Sequence, residues 1–250
     1  MIVGNGYVEP SMIGNLPRSF YNLGIIQKEQ MDLLRPIHEG LLKDINANKS
    51  VEAKEKWGSL VLILLSLSHQ KHAYNFLKDD LQLGNYGKYF LSRSDVKKAI
   101  HVGDIDFNFI NVTVNILLAP DFLSSTQSLY ESLLDNYRIL LYCGQLDQML
   151  PCVTISESHR RWRWSRSDDF NKAIRYPFMY NGTLAGYHKS GGGFTEAIIR
   201  GAGHMAPLDR PAPTQFLVTS WTHHIVPLYT DPMLQSFIRL YLNNSSSVFL

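Results

Sequence analysis

The chain has 250 residues, enough for one α/β domain with a sizeable core. Its 24 basic and 22 acidic side chains give a formal net charge of +2, which offers no electrostatic argument for a nucleic-acid partner. The most apolar run, Leu60 to Leu67, is too short to cross a bilayer, so we expect no membrane partner either. Two cysteines, Cys143 and Cys152, are too few for a disulfide framework.

The chain opens with Ile2 and Val3, which predict the end of a strand, followed by a turn at Gly4-Asn5-Gly6. A basic segment followed by an apolar one is not visible after Met1, so no signal peptide is predicted.

A helical insertion is predicted over about residues 17–90. One helix follows an apolar period near 3.6, and Pro36 is expected to break or kink it. Ser50 is a predicted N-cap of the next helix. His69 and His72 could share a helix face, but a metal site needs more ligands, so a solvated pair is favoured. In the first of these two helices, the apolar residues at the period near 3.6 are Met31, Leu34, Ile37 and Leu41.

The second half begins with a short helix capped by Ser94 and a further helix over about 124–136. Arg138 to Cys143 is apolar without alternation after its first residue, which is typical of a parallel strand covered on both faces. This strand ends in a loop that carries Asp147.

A β-hairpin is predicted over 176–189, because Asn181-Gly182 suits the two positive φ angles of a tight turn. Gly191-Gly192-Gly193 is interpreted as a flexible connector, since it lacks the Gly-Lys ending of a phosphate loop. Trp162 and Trp164 are expected to pack at a helix end rather than to form a stacking platform.

The next strand, Ala197 to Ile199, leads into a glycine-rich turn that carries His204. Loops after the carboxyl ends of strands are where α/β sheets place their chemistry, so His204 is a candidate general base. A plain turn with a solvated histidine remains equally open from these residues alone. Pro211 and Pro213 predict the start of a last helix, and residues 241–250 are expected to form a loose tail.

Asn-x-Ser/Thr sequons mildly favour a glycoprotein with a secretory history, although each is a weak pattern. They lie at Asn48, Asn111, Asn181, Asn243 and Asn244.

Four motifs in order resemble the serine carboxypeptidase family, and more specifically its vitellogenic-like branch. The acid loop is Leu141-Tyr142-Cys143-Gly144-Gln145-Leu146-Asp147, and the histidine loop is Ile199-Arg200-Gly201-Ala202-Gly203-His204-Met205-Ala206-Pro207. The segments Gly4-Asn5-Gly6-Tyr7-Val8-Glu9-Pro10 and Val96-Lys97-Lys98-Ala99-Ile100-His101-Val102-Gly103 also fit. The resemblance covers most of residues 1–230 and corresponds to the carboxyl-terminal portion of the family.

The resemblance implies a partial α/β-hydrolase fold, a mostly parallel sheet with flanking helices, a helical cap and a β-hairpin. Residues 1–240 would form a single incomplete domain. It implies a peptidase that removes residues from peptide and protein C-termini without a cofactor or metal, on the secretory, lysosomal or extracellular route. Asp147 and His204 would be catalytic, with Asp147 orienting the imidazole and His204 acting as general base. Met205 would line the substrate pocket.

The nucleophile motif of that family is absent from the chain, which contains no Gly-x-Ser-x-Gly. We therefore expect negligible peptidase activity and poor solubility for this chain alone, unless a partner chain covers its exposed sheet. Two alternatives stay open: a non-catalytic homologue that acts as a binding protein, and a remnant of an acyltransferase on the same scaffold.

Overall fold

The computed structural model describes residues 1–80, 86–108 and 110–224, and these fall into two compact units. The first unit comprises residues 1–6, 131–145 and 162–224, and the second comprises 7–130 and 146–161. The tail predicted after Tyr241 lies outside the described residues. Among the residues described, no helix is both long and apolar enough to cross a bilayer.

A five-stranded mixed sheet forms the body of the first unit. Its strands are β1 (Ile2–Gly4), β2 (Ile139–Gly144), β3 (Tyr176–Tyr180), β4 (Thr183–Gly191) and β5 (Phe194–Ile199). Their spatial order is β1-β2-β5-β4-β3, with parallel pairing from β1 to β5 and antiparallel pairing from β5 to β3.

Twelve helices complete the described residues, together with a 3₁₀ turn at Pro10–Ile13. In chain order they are α1 (Leu16–Asn22), α2 (Lys28–Asn46), α3 (Ser50–Ser68), α4 (Tyr86–Leu91), α5 (Ser94–Ala99), α6 (Val112–Leu117), α7 (Ala119–Phe122), α8 (Gln127–Leu134), α9 (Cys152–His159), α10 (Ser167–Lys172), α11 (Ala206–Asp209) and α12 (Pro211–Thr222).

Strand β2 lies between β1 and β5, and five of its six residues are buried. This confirms the prediction from its unbroken apolar run, because a parallel strand covered on both faces has no polar side to alternate. Its last residue, Gly144, is paired with Ile199, the last residue of β5. The carboxyl ends of these two parallel strands therefore lie side by side.

The predicted hairpin is confirmed as β3 and β4, joined at Asn181 and Gly182 with φ angles of 48° and 73°. The prediction of a flexible connector at Gly191–Gly193 is wrong. Gly192 and Gly193, with φ angles of 57° and 85°, form a second two-residue turn that joins β4 directly to β5. Consecutive positive φ angles are favoured by glycine and suit the twist of a hairpin, so the same residues that suggested flexibility form a tight turn.

Two apolar groups fill the first unit. In the first group, Leu217 and the partly buried Trp221 of α12 pack against Ala197 and Ile199 of β5. In the other, Trp162 stacks on Phe194, and their ring centroids are 5.8 Å apart. Trp162 and Trp164 are both buried, which confirms the packing predicted for them, although they follow α9 rather than end it.

The second unit is mainly helical, and α2 and α3 build its core with α1. A break or kink was predicted at Pro36, and the break is wrong, because α2 continues through this residue. Pro36 lies on the exposed face, where water can satisfy the carbonyl that loses its partner, while Leu34 and Leu41 keep the opposite face buried. Ser50 and Ser94 are the first helical residues rather than N-caps.

The histidine pair is also arranged differently from the prediction. Helix α3 ends at Ser68, and His69 follows as an exposed, left-handed C-cap with a φ angle of 55°. His72 is buried, so the two rings do not share a helix face or a solvated surface. Residues 1–80, 86–108 and 110–224 contain no cluster of three or more metal-binding side chains.

Buried histidines make the stability of the chain dependent on pH. Burial lowers the pKa of His188 in β4 and also that of His38 in α2, where the nearby Glu39 opposes the effect. An unfolded histidine binds a proton near pH 6.5, so the unfolded state takes up more protons than the native state as pH falls through that value.

We therefore expect the urea concentration at the unfolding midpoint to decrease as the pH is lowered from about 7.5 to about 5.5, since stability is lost as pH falls. A His188→Gln variant should show a smaller fall over that interval, each protein being compared with its own midpoint at pH 7.5. An equal fall in the variant and the parent would show that His188 carries none of the pH dependence.

Candidate active site

The histidine loop follows β5 and is fixed from both ends within the first unit. Gly201 begins the turn with a φ angle of 73°. The N–H of Gly203 donates to Asp209 Oδ2 at 2.7 Å, and the Asp209 N–H donates to the Met205 carbonyl at 3.0 Å. His204 lies between these anchored residues and is half-buried, so its imidazole is presented by a loop with little freedom.

Gly144 at the end of β2 lies directly against this loop. A Cβ atom at Gly144 would lie 2.0 Å from the Gly203 carbonyl oxygen and 2.6 Å from the Ala202 carbonyl oxygen. The next residue, Gln145, donates its N–H to the Ile199 carbonyl at 3.0 Å. The end of β2 and the backbone before His204 are thus in contact, and only glycine permits this approach.

The acid loop belongs, from Leu146 onward, to the second unit. Asp147 is 1% exposed, and its Oδ1 accepts the N–H groups of Met149 at 2.7 Å and Leu150 at 3.0 Å. A carboxylate has about four acceptor positions, so these two bonds orient the group without exhausting it. Asp147 is therefore a buried acid held in one orientation by its own loop.

A neighbouring segment of the second unit supports the acid loop. The Gln148 N–H donates to the Ala73 carbonyl at 2.9 Å, and the Phe76 N–H donates to the Leu146 carbonyl at 3.3 Å. His72 is buried in this segment, with no hydrogen-bond partner for either ring nitrogen among the described residues.

Met205 is 37% exposed and follows His204 directly. It also closes the first turn of α11 by accepting the N–H of Leu208 at 2.9 Å. Sequence reasoning missed Asp209, the carboxylate that fixes Gly203. Its signal was an acid at the end of a proline-initiated turn shortly after the glycine-rich loop.

The comparisons with known proteins agree on the family of the chain. A family profile for serine carboxypeptidases matches residues 1–224. The venom serine carboxypeptidase of Apis mellifera is 29% identical over 234 residues, which is 90% of this chain and 50% of that protein. The vitellogenic carboxypeptidase of Aedes aegypti is 29% identical over 240 residues, which is 89% of this chain and 50% of that protein.

The fold agrees as well. A solved structure of Kex1(delta)p, a prohormone-processing carboxypeptidase of Saccharomyces cerevisiae, matches with a TM-score of 0.68 at 18% identity. The match covers 89% of this chain and 54% of the yeast chain. It confirms the predicted partial α/β-hydrolase fold. The chain spans about half the length of the curated relatives it matches, and it belongs to the serine carboxypeptidase family.

Proposed function

We propose that this chain supplies the acid and the general base of a serine carboxypeptidase. The observation that carries the proposal is the paired carboxyl ends of β2 and β5, with Gly144 against Gly203. Asp147 follows Gly144 by three residues and His204 follows Gly203 by one. We propose that Asp147 pairs with His204, which a connection of three residues, spanning at most about 10 Å, allows.

In the proposed reaction, a serine hydroxyl attacks the carbonyl carbon of the last peptide bond. His204 accepts the hydroxyl proton and then donates it to the leaving amine, which frees the C-terminal residue. Water, deprotonated by His204, then attacks the acyl-enzyme carbonyl, and the serine regains its proton from the imidazolium. Asp147 orients the imidazole and stabilises the imidazolium throughout.

The serine lies outside these 250 residues in this proposal, since the chain has no Gly-x-Ser-x-Gly segment. Within the described residues, β1 pairs with β2 on one side only, which leaves an open sheet edge where another strand can be added. We assign that edge to the amino-terminal half of a serine carboxypeptidase. Met205, exposed beside His204, would then line the substrate pocket.

The test is a fusion of the amino-terminal half of the Apis mellifera venom serine carboxypeptidase to residue 1 of this chain. We expect the fusion to hydrolyse an N-blocked dipeptide at acidic pH and the 250-residue chain alone to be inactive. His204→Ala in the fusion should abolish turnover, and the amino-terminal half alone is the control. Turnover by the chain alone that is lost with His204→Ala would refute the assignment of the serine to another segment.

A further inference from the structure

A cavity of about 370 Å³ lies in the first unit at the amino end of β5, whereas His204 follows the carboxyl end of that strand. Strands β4 and β5, the turn at Gly192 and Gly193, and the end of α12 all contribute to its lining. The proposed hydrolytic function leaves this cavity unused.

The lining of the cavity carries two arginines and, among its described residues, no aspartate or glutamate. Arg138 and Arg166 supply its positive charge. Arg166 Nε donates to Asp169 Oδ2 at 3.0 Å, but this pair is exposed, and such a contact contributes little. The electrostatic character of the cavity therefore favours an anion.

The guanidinium group of Arg138 is held in a fixed position at this cavity by neighbouring residues. Its Nη1 donates to His224 Nδ1 at 2.6 Å, and its Nη2 donates to the Trp221 carbonyl at 3.1 Å. The guanidinium also lies 4.4 Å from the centre of the Trp221 ring. A guanidinium with a fixed position loses less conformational entropy when it binds a carboxylate.

A buried polar atom in the lining lacks a partner. His188 is only 4% exposed, and its Nε2 has no hydrogen-bond partner within the described part of the chain. A buried polar atom left unpaired is unfavourable, so a ligand that forms a hydrogen bond with this nitrogen would recover that cost. Leu217, Phe194 and the Trp221 ring form the apolar part of the lining. Its two hydroxyl groups are already paired, because Ser190 Oγ donates to Thr195 Oγ1 and Trp221 Nε1 donates to the same oxygen, each at 3.0 Å.

We propose that this cavity binds a small organic carboxylate. The carboxylate lies against the guanidinium groups of Arg138 and Arg166 and accepts a hydrogen bond from His188 Nε2. The apolar body of the ligand lies against Leu217 and Trp221. The volume accommodates a molecule with a single ring or a short branched chain.

Titration calorimetry of the 250-residue chain with benzoate tests the proposal. We expect saturable binding at one site. Benzyl alcohol, which has the ring without the charge, and inorganic phosphate, which has the charge without the ring, should each bind at least tenfold more weakly. Absence of benzoate binding, or an affinity for either comparison compound equal to that for benzoate, overturns the proposal.

Arg138→Gln should weaken benzoate binding at least tenfold and Arg166→Gln about threefold. Lys172→Gln, which removes the same charge from α10 outside the cavity, should stay within twofold of the parent. Arg166→Gln changes only an exposed head group, so it tests the cavity even where Arg138→Gln impairs folding. Equal weakening by Arg166→Gln and Lys172→Gln would show a general charge effect and would overturn the proposal.

Discussion

An Asp147→Asn substitution in the fusion protein is expected to lower turnover on the order of 10⁴-fold while the fold is retained. An amide cannot stabilise the imidazolium, and it favours the wrong tautomer of His204. Asparagine nevertheless keeps an Oδ1 acceptor for the N–H groups of Met149 and Leu150, which the carboxylate binds here. We therefore expect the Asp147→Asn variant to lose catalysis while it keeps the structure of the acid loop.

Asp147→Ala supplies the comparison, because it removes both functions. The N–H groups of Met149 and Leu150 lose their acceptor, and each buried unpaired donor costs about 1–3 kcal/mol. Urea unfolding of the 250-residue chain should show Asp147→Asn within about 1 kcal/mol of the parent and Asp147→Ala clearly below both. Retention of turnover in the Asp147→Asn fusion would remove Asp147 from the catalytic assignment.

A Gly144→Ala substitution is expected to destabilise the chain by about 3 kcal/mol or more. The added methyl group would meet two backbone carbonyl oxygens, at 2.0 Å and 2.6 Å, and backbone cannot rotate away as a side chain can. Either β2 or the histidine loop must move. We expect a lower urea midpoint for the chain and, in the fusion, a loss of turnover larger than the loss of folded protein.

Gly58→Ala is the matched control for this change. Gly58 lies inside α3, and a Cβ atom there would have nothing within 4 Å beyond its chain neighbours and the backbone of its own helix. Alanine in a helix interior is favoured over glycine by about 1 kcal/mol, so this variant should be slightly more stable than the parent. Equal stability of Gly144→Ala and the parent would contradict the close contact between Gly144 and the histidine loop.

The strands that position the site could be predicted because the residue types within each strand and turn reflect its burial and backbone geometry. Residues 139–143 are all apolar, since both faces of β2 are covered. Asn181-Gly182 indicates the hairpin of β3 and β4, because these two residues suit the positive φ angles of its turn. What could not be predicted depended on distant packing. Pro36 is tolerated because it falls on the exposed face of α2, which depends on how that helix packs in the core.

The site itself was predictable only in part. The sequence order of Asp147 and His204, each shortly after an apolar strand, made both residues candidates. The support for them did not follow from sequence, because Asp209 and Gly144 act through contacts with Gly203 that depend on tertiary structure. Burial of His72 likewise depends on the segment that packs against the acid loop rather than on its spacing from His69.

Strand β1 has a consequence for biosynthesis. The amino group of Met1 donates to the Arg138 carbonyl, a partner 137 residues away, and the ladder between β1 and β2 begins there. At about 5–20 residues per second, a ribosome needs roughly 7–27 s to extend the chain across that interval. During this time β1 lacks its partner β2, so chaperone capture of the nascent chain should be greatest before β2 is translated.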